Sequence, residues 1–271
     1  MPGFIDSLMN FPFLQNAFLG GLFSSIIAAL IGPFIVIRKI SYIAGGIAHS
    51  VFAGLAIANW AGYDPLWGAL VMAIFSGLLI ATISIKHKEK EDTIISALWA
   101  GGMAIGVIFI AKTPGYATDL MSYMFGNILI VRDQDLILLA GLSFITLITV
   151  MWAYQKICAV SFDSEFVLLR GVSVNFYNYL LYLLVSLAVV VLIQIVGLIL
   201  VIALLTLPAA IACRHFFSLK KIMLLTFFLA LVFTSSGIML GYYFDLPASA
   251  PIILMSTLVY MFDQFFVRKL A

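Results

Sequence analysis

One histidine stands in the middle of an apolar stretch, where ionisable side chains are rare. The stretch runs from Ile40 to Ala58, and the histidine is His49. An imidazole is costly at membrane depth unless it faces a partner, a cavity or an ion. Its nitrogen atoms are also good ligands for zinc and other transition metals. The sequence leaves two interpretations: a metal ligand, or a packed histidine bonded to a backbone carbonyl or a hydroxyl.

Small residues surround this histidine at helical spacing. Beside it, three small residues form an edge with a spacing of four: Gly46, Ser50 and Gly54. The stripe that contains the histidine consists of Tyr42, Gly45, His49, Phe52, Ala53 and Ala56. Small side chains let helix backbones approach closely in a membrane. The stretch is therefore predicted to be a helix packed between other helices.

The composition defines the class of protein. Of the 271 residues, 64% are hydrophobic and 10% are charged, which is far from the composition of a soluble domain. Strand alternation at β-barrel spacing is absent. No basic stripe with interleaved aromatics suggests nucleic-acid binding. Cys158 and Cys213 lack metal-site spacing and are expected to be ordinary thiols. We predict an all-α polytopic membrane protein, with residues 1–271 forming a single transmembrane domain.

Nine stretches approach the length of about 20 apolar residues that a helix needs to cross a bilayer. They are Phe18–Ile37, Ala44–Ala61, Leu66–Ile85, Ile94–Ala111, Leu136–Tyr154, two spans within Phe176–Cys213, Ile222–Tyr243 and Pro251–Val267. The Phe176–Cys213 run should hold two spans joined near residues 194–197, and a single span there would give eight crossings. Pro33 and Pro208 are predicted helix breaks, because proline cannot donate to the preceding turn.

The positions of lysine and arginine predict the orientation. With the N-terminus outside and the C-terminus in the cytoplasm, most basic residues fall on the cytoplasmic side, and only Lys112 and Arg132 fall outside. The cytoplasmic set is Arg38, Lys39, the basic residues of 86–90, Lys156, Arg170, Arg214, Lys220, Lys221, Arg268 and Lys269.

The segment after the fifth predicted span has the pattern of a short independent helix. Ser161 or Asp163 can cap its start, Arg170 lies in its last turn, and Gly171 can end it. Composition alone favours equally an interfacial helix on lipid headgroups and a helix that docks a protein. The sequence contains no Gly-x-x-x-x-Gly-Lys-Ser/Thr loop, so any ATP hydrolysis would have to occur on a separate subunit.

Four stretches together resemble the membrane-spanning subunit of the ABC importers for zinc, manganese and iron. They occur in the order of that family, and the chain also resembles the zinc-uptake permease. The stretches are Arg38–Tyr42 followed by Gly46–Ser50, Asp119–Asn127, Phe162–Glu165 through Arg170–Val172, and Val196–Leu200 with Leu205–Ala210 together with Asp245–Pro251.

The resemblance implies the architecture and the partners of a type II ABC importer. The permease would be a homodimer in the bacterial inner membrane, with two ATPase subunits beneath it and a metal-loaded solute-binding protein outside. Residues 162–172 would be the cytoplasmic coupling helix. The residues expected to contact the ATPase are Phe162, Asp163, Glu165, Phe166, Leu169, Arg170 and Gly171.

The resemblance also implies a metal path at His49, with metal as cargo and with no permanently bound cofactor. The family commonly has an aspartate four residues before this histidine, where this chain has Gly45. Zinc is therefore expected first and manganese or iron second, because imidazole suits zinc and manganese prefers oxygen. Tyr42 is a weaker oxygen ligand. Asp245 would lie at the outer mouth or cap a helix.

Two other functions fit the same architecture. An ion-coupled metal carrier would need a buried carboxylate, and every Asp and Glu is expected to lie in or beside a loop. An ABC permease for a metal chelate or siderophore would change only the cargo. A hydrolase is disfavoured, because the adjacent His49 and Ser50 point apart on a helix. His87 is expected to be solvated, and His215 to lie at the level of the headgroups.

Overall fold

The described part of the chain is helical. The structure, a computed structural model, describes residues 10–86, 91–113 and 133–266. Its helices are α1 (Pro12–Ile37), α2 (Ser41–Trp60), α3 (Pro65–Lys86), α4 (Glu91–Lys112), α5 (Asp133–Phe162), α6 (Ser164–Leu169), α7 (Val174–His215), α8 (Leu219–Phe244) and α9 (Ser249–Phe266). Within the described ranges there is no β-strand, so the predicted all-α class is confirmed.

Helix α7 contains two candidate spans, Val174–Ile193 and Val196–His215. Between them Gly197 has φ 78° and ψ 169°, a conformation that glycine adopts readily because it has no Cβ. With α1–α5, α8 and α9, the described residues contain nine helical segments long and apolar enough to cross a membrane. The predicted joint near residues 194–197 and the count of nine are confirmed.

The structure differs from the sequence prediction at the end of α5 and at two prolines. Helix α5 continues to Phe162, beyond the predicted end at Tyr154. Its polar residues Gln155 and Lys156 are good helix formers, so the helix outlasts its apolar part. Pro33 lies inside α1 and Pro208 lies inside the second span of α7, which corrects the predicted helix breaks. Transmembrane helices tolerate proline when neighbouring groups satisfy the freed carbonyl.

The chain divides into two compact units. The first unit contains α1, the start of α5, the second span of α7, α8 and α9. Helix α8 packs against α1 and α9, and the hydroxyls of Ser25 and Thr234 lie 3.4 Å apart. A Cβ on Gly32 would lie 2.5 Å from the carbonyl oxygen of Leu205. Small residues therefore permit close helix contacts in this unit.

The second unit contains α2, α3, α4, the rest of α5, α6 and the first span of α7. Helix α2 packs against both α3 and α4. Its contact positions rise together with those of α4, since Gly46 meets Ile95 and Ser50 meets Gly102, so these helices run parallel. Against α3 the order is reversed, and those two helices are antiparallel. The helix that carries His49 is thus held between two neighbours.

Candidate functional site

The small-residue edge of α2 makes the close contacts that the sequence predicts. A Cβ on Gly46 would lie 2.5 Å from Cγ2 of Ile95 in α4. The Ser50 hydroxyl lies 2.7 Å from the hydroxyl of Ser76 in α3. A Cβ on Gly54 would overlap the backbone of α3. The predicted packing of α2 between other helices is confirmed, and it fixes the position of the histidine on this helix.

His49 is half-buried and lies against an aromatic side chain of α4. Its imidazole stacks on the indole of Trp99, with ring centroids 4.1 Å apart and an interplanar angle of 15°. The buried Nδ1 atom has no hydrogen-bond partner among the described residues. A buried polar atom without a partner is costly. Within the described part of the chain, Nδ1 therefore lacks the carbonyl or hydroxyl bond that the packed-histidine alternative would give it.

The surroundings of His49 provide few further ligands. Among the described residues, no group of three or more His, Cys, Asp or Glu side chains could hold a metal ion. Gly45, one turn earlier on α2, is buried and carries no ligand atom on a side chain. His49 is therefore not part of a set of three such side chains among the described residues. A site without such a set suits an ion in transit.

Tyr42 lies two turns before His49 on α2 and has different neighbours. Seven residues at 1.5 Å per residue separate the two by about 10 Å along the helix axis. Tyr42 interacts with the Glu91 carboxylate at the start of α4. The structure therefore does not bring Tyr42 and His49 together as two ligands of one ion. It places Tyr42 in a separate polar cluster.

The centre of this cluster is Glu91, which is only 5% exposed. The Tyr182 hydroxyl, from the first span of α7, donates to Glu91 Oε1 at 3.4 Å. The same hydroxyl lies 2.7 Å from the Ser84 hydroxyl in α3. With Tyr42, the cluster links four helices where α2 and α4 begin. No sequence pattern predicted this cluster, because these residues are far apart along the chain.

Arg38 adds a positive charge beside this cluster, just before α2. Burial lowers the pKa of its guanidinium, and the nearby Tyr182 and Glu91 oppose that effect. An arginine remains charged at neutral pH even after such a shift. The positive charge helps to balance the buried carboxylate of Glu91.

The short helix predicted after the fifth span is α6, and its two ends follow the sequence signals. Asp163 caps its start, since its Oδ1 atom accepts a hydrogen bond of 2.9 Å from the Phe166 backbone N–H. At its end, Gly171 has φ 74°. The Gly171 N–H donates to the Leu168 carbonyl, and the Val172 N–H to the Val167 carbonyl. This is the Schellman pattern of a glycine-terminated helix.

Most apolar side chains in and next to α6 are exposed. Val167 is buried. By contrast, Leu169 is 87% exposed and Phe162 is 65% exposed. The Arg170 guanidinium lies 5.1 Å from the centre of the Phe166 ring. An exposed apolar cluster with an adjacent cation is typical of a surface that binds another component.

Comparisons with known proteins give the family. The ABC 3 transport family matches residues 10–267. The "probable metal transport system membrane protein" of Chlamydia trachomatis is 38% identical over 250 residues, which cover 90% of this chain and 85% of that protein. The manganese import system permease protein ScaB of Streptococcus gordonii is 33% identical over 266 residues, covering 98% and 95%. The chain belongs to the ABC 3 transport family.

A solved structure agrees with this assignment. PsaBC from Streptococcus pneumoniae in complex with Fab contains a chain that is 34% identical, with a TM-score of 0.87. The match covers 97% of this chain and 95% of that one. The predicted resemblance is therefore confirmed. As a member of the ABC 3 transport family, the chain is a multi-pass membrane protein and a transport component rather than an enzyme.

The remaining residues predicted from the sequence lie away from His49 and α6 or outside the described ranges. The resemblance stretch Asp119–Asn127 and His87 lie outside the described residues. Asp245 is the exposed C-cap of α8 and has the left-handed backbone values φ 53° and ψ 44°. This position agrees with a capping role, and the role at an outer mouth stays a prediction.

One expectation about carboxylates is wrong. Asp263 lies inside α9, and its side chain is 7% exposed. Its Oδ2 atom lies 2.8 Å from Arg214 Nε, and its Oδ1 atom 2.7 Å from His215 Nε2. The carboxylate is tolerated there because a buried charge needs a partner and Arg214 supplies one. The sequence spacing hid this pair, because the two helices meet only in the folded unit.

Proposed function

We propose that this chain is the membrane-spanning subunit of an ATP-binding-cassette importer for a divalent metal ion. The observation that carries the proposal is the position of His49. The residue is held in the closely packed helix α2, and its buried Nδ1 atom has no bond to another described residue. In a chain of the ABC 3 transport family, whose relatives are named for metal transport, such a nitrogen is best explained as a contact for the passing ion.

The identity of the metal is supported by two arguments that point in different directions. The names of relatives such as ScaB favour manganese. The chemistry of the site favours zinc, because His49 offers an imidazole and Gly45 offers no carboxylate. Iron is the third candidate. Competition between zinc and manganese in one transport assay decides between the first two.

The exposed cluster at α6 supports a role in coupling to an ATPase. Leu169 is 87% exposed and Phe162 is 65% exposed, so most of their apolar surface is uncovered by the described residues. A separate ATPase subunit that binds residues 162–172 would bury this surface. In this proposal two such subunits bind a homodimer, and a solute-binding protein delivers the metal from outside.

Contacts within the second unit support a mechanical link from α6 to α2. The side chains of Phe166 and Val167 face a groove that Lys156 of α5 also lines. The Lys156 ammonium lies 5.6 Å from the centre of the Tyr177 ring, at the start of α7. Farther along α7, Tyr182 reaches Glu91, which interacts with Tyr42 of α2. A force on α6 would thus reach the helix of His49 through packed side chains.

The orientation is part of the same proposal. The distribution of basic residues supports an orientation in which the start of α2 and the whole of α6 lie on the cytoplasmic side of the bacterial inner membrane. The cluster around Glu91 would then lie near the cytoplasmic end of the path, and His49 deeper in the membrane.

Transport by the purified complex tests the function. The permease, its ATPase and its solute-binding protein are reconstituted in liposomes, and uptake of radioactive zinc or manganese is measured with and without ATP. We expect uptake that requires ATP and all three components. Metal transport by the permease alone, without nucleotide, would contradict the proposal and indicate an ion-coupled carrier.

The role of His49 is tested in the same assay. His49→Ala should reduce uptake strongly while the permease still assembles with the ATPase. His87→Ala, in the charged loop predicted from the sequence, is the matched control and should transport normally. Normal uptake by His49→Ala would show that His49 only packs.

A further inference from the structure

Trp99 belongs to the face of α4 that packs against α2. That face consists of Ile95, Trp99, Gly102 and Gly106, which are spaced by three or four residues. A Cβ on Gly102 would lie 2.5 Å from the Ser50 Cα atom, and one on Gly106 would overlap the Phe52 ring. The two glycines bring the α4 backbone close to α2 on one side of the histidine. On the same face of α4, Trp99 places its indole against the His49 ring.

The indole covers one face of the His49 ring. The rings are nearly parallel at a separation of 4.1 Å, which is the geometry of an offset or face-to-face aromatic stack. Trp99 itself remains 40% exposed, so one part of the indole contacts His49 and another part is uncovered. An ion can therefore approach His49 only from directions that the indole does not occupy.

This stack determines how His49 can bind a metal. An imidazole nitrogen binds a metal through the lone pair in the ring plane, so the neighbours that fix the ring plane also fix the direction of binding. The indole cannot act as a second ligand, because its nitrogen is only a hydrogen-bond donor. Trp99 thus orients the histidine ring without supplying a ligand of its own.

We infer that Trp99 is a positioning residue of the metal path, which holds the plane of the His49 ring. The inference rests on the proposed function, since it needs His49 to contact the ion. Its consequence is a site with a defined direction of approach for the ion. Such a site can accept and release the ion within one transport cycle.

The test uses the reconstituted complex of permease, ATPase and solute-binding protein, with radioactive zinc and manganese as probes. Trp99→Leu removes the aromatic face and retains an apolar side chain. We expect it to raise the KM for metal uptake about 3- to 10-fold, the range that corresponds to the loss of one aromatic stack. Trp99→Phe keeps a ring over His49 and should restore most of the wild-type KM.

Two further measurements separate orientation of His49 from general packing. If Trp99 acts through His49, Trp99→Leu should add no defect to a His49→Ala protein. Trp67→Leu, at an exposed tryptophan of α3, is the matched control and should leave KM unchanged. Co-purification of the ATPase reports assembly. If Trp99→Leu fails to assemble, Trp99→Met replaces it as the variant without a ring.

The outcomes also separate this inference from the proposed function. Loss of uptake in His49→Ala with normal KM in Trp99→Leu would leave the function standing and overturn the role of Trp99. Additive defects in the double variant, or a Trp99→Phe protein as impaired as Trp99→Leu, would also overturn it. Normal uptake in His49→Ala would instead remove the proposed metal contact itself.

Discussion

Gly54 of α2 and Gly68 of α3 face each other so closely that a Cβ on either would overlap the carbonyl oxygen of the other. The contact lies on the same helix as His49, one turn beyond Ser50. Here two backbones touch without intervening side chains. The position of α2 therefore depends on the absence of side-chain atoms at two residues far apart in the sequence.

Gly54→Ala should destabilise the protein by about 1–3 kcal/mol, because the added methyl group overpacks a tight contact. The midpoint of unfolding in mixed micelles measures this effect. Gly101→Ala is the matched control, since a Cβ at this helical glycine of α4 meets no atom within 4 Å. It should be neutral or stabilising by up to about 1 kcal/mol. Equal midpoints for the two variants would contradict the close packing.

Gly45→Asp tests the metal preference of the site. A carboxylate one turn before His49 would supply an oxygen ligand, which manganese prefers. We expect the ratio of manganese to zinc uptake to rise several-fold in a competition assay with the reconstituted complex. Gly45→Asn, which has the same shape without the charge, should change the ratio much less. An unchanged ratio in the aspartate variant would mean that this position does not face the ion.

Leu169→Glu tests the coupling role of α6. Leu169 is 87% exposed, so the change should alter the unfolding free energy by no more than about 0.5 kcal/mol. If the ATPase buries this residue, its affinity for the permease should fall about tenfold or more. Phe217→Glu, at an 84% exposed residue between α7 and α8, is the control. The measurement is co-purification of the ATPase with the permease. If the Leu169→Glu variant retains as much ATPase as the unchanged permease, Leu169 does not lie in the interface.

Asp263→Asn tests the buried ion pair of the first unit. The variant keeps the size of the side chain and removes the charge that Arg214 meets at 2.8 Å. Breaking a largely buried pair should cost about 3 kcal/mol. Asp245→Asn, at an exposed carboxylate, should change stability little. A double variant that combines Asp263→Leu with Arg214→Met should regain part of the lost stability. If the double variant is as unstable as Asp263→Asn, the result argues against the pairing.

The sequence predicted the properties that depend on local pattern. Runs of apolar residues located the nine spans, and the glycine joint at Gly197 followed from the length of one run. The spacing of Gly46, Ser50 and Gly54 predicted close packing of α2. The Asp163 cap and the Gly171 end of α6 also follow from local chemistry. In each case the physical cause lies within a few residues of its effect.

The sequence missed the properties that depend on helix register. Trp99 stacks on His49 only because α2 and α4 run parallel with a particular offset. Every Asp and Glu is expected in or beside a loop, yet Glu91 is buried and interacts with Tyr182 and Tyr42. Asp263 lies close to the end of its span, where a carboxylate usually reaches water, so the local pattern gives no sign of its ion pair. The contacts of His49, Tyr42 and Glu91 join residues between positions 42 and 182, and the ion pair joins residues 214 and 263. No local sequence pattern encodes contacts between residues so far apart.

The ion pair between Arg214 and Asp263 also has a consequence for biosynthesis. The two residues are 49 positions apart, and the carboxylate arrives with the last described helix. While the chain is being made, Arg214 therefore enters the membrane region before Asp263 exists. The pair can close only after α9 has been made as far as Asp263, so a chain truncated before that residue would lack this contact at the end of α7.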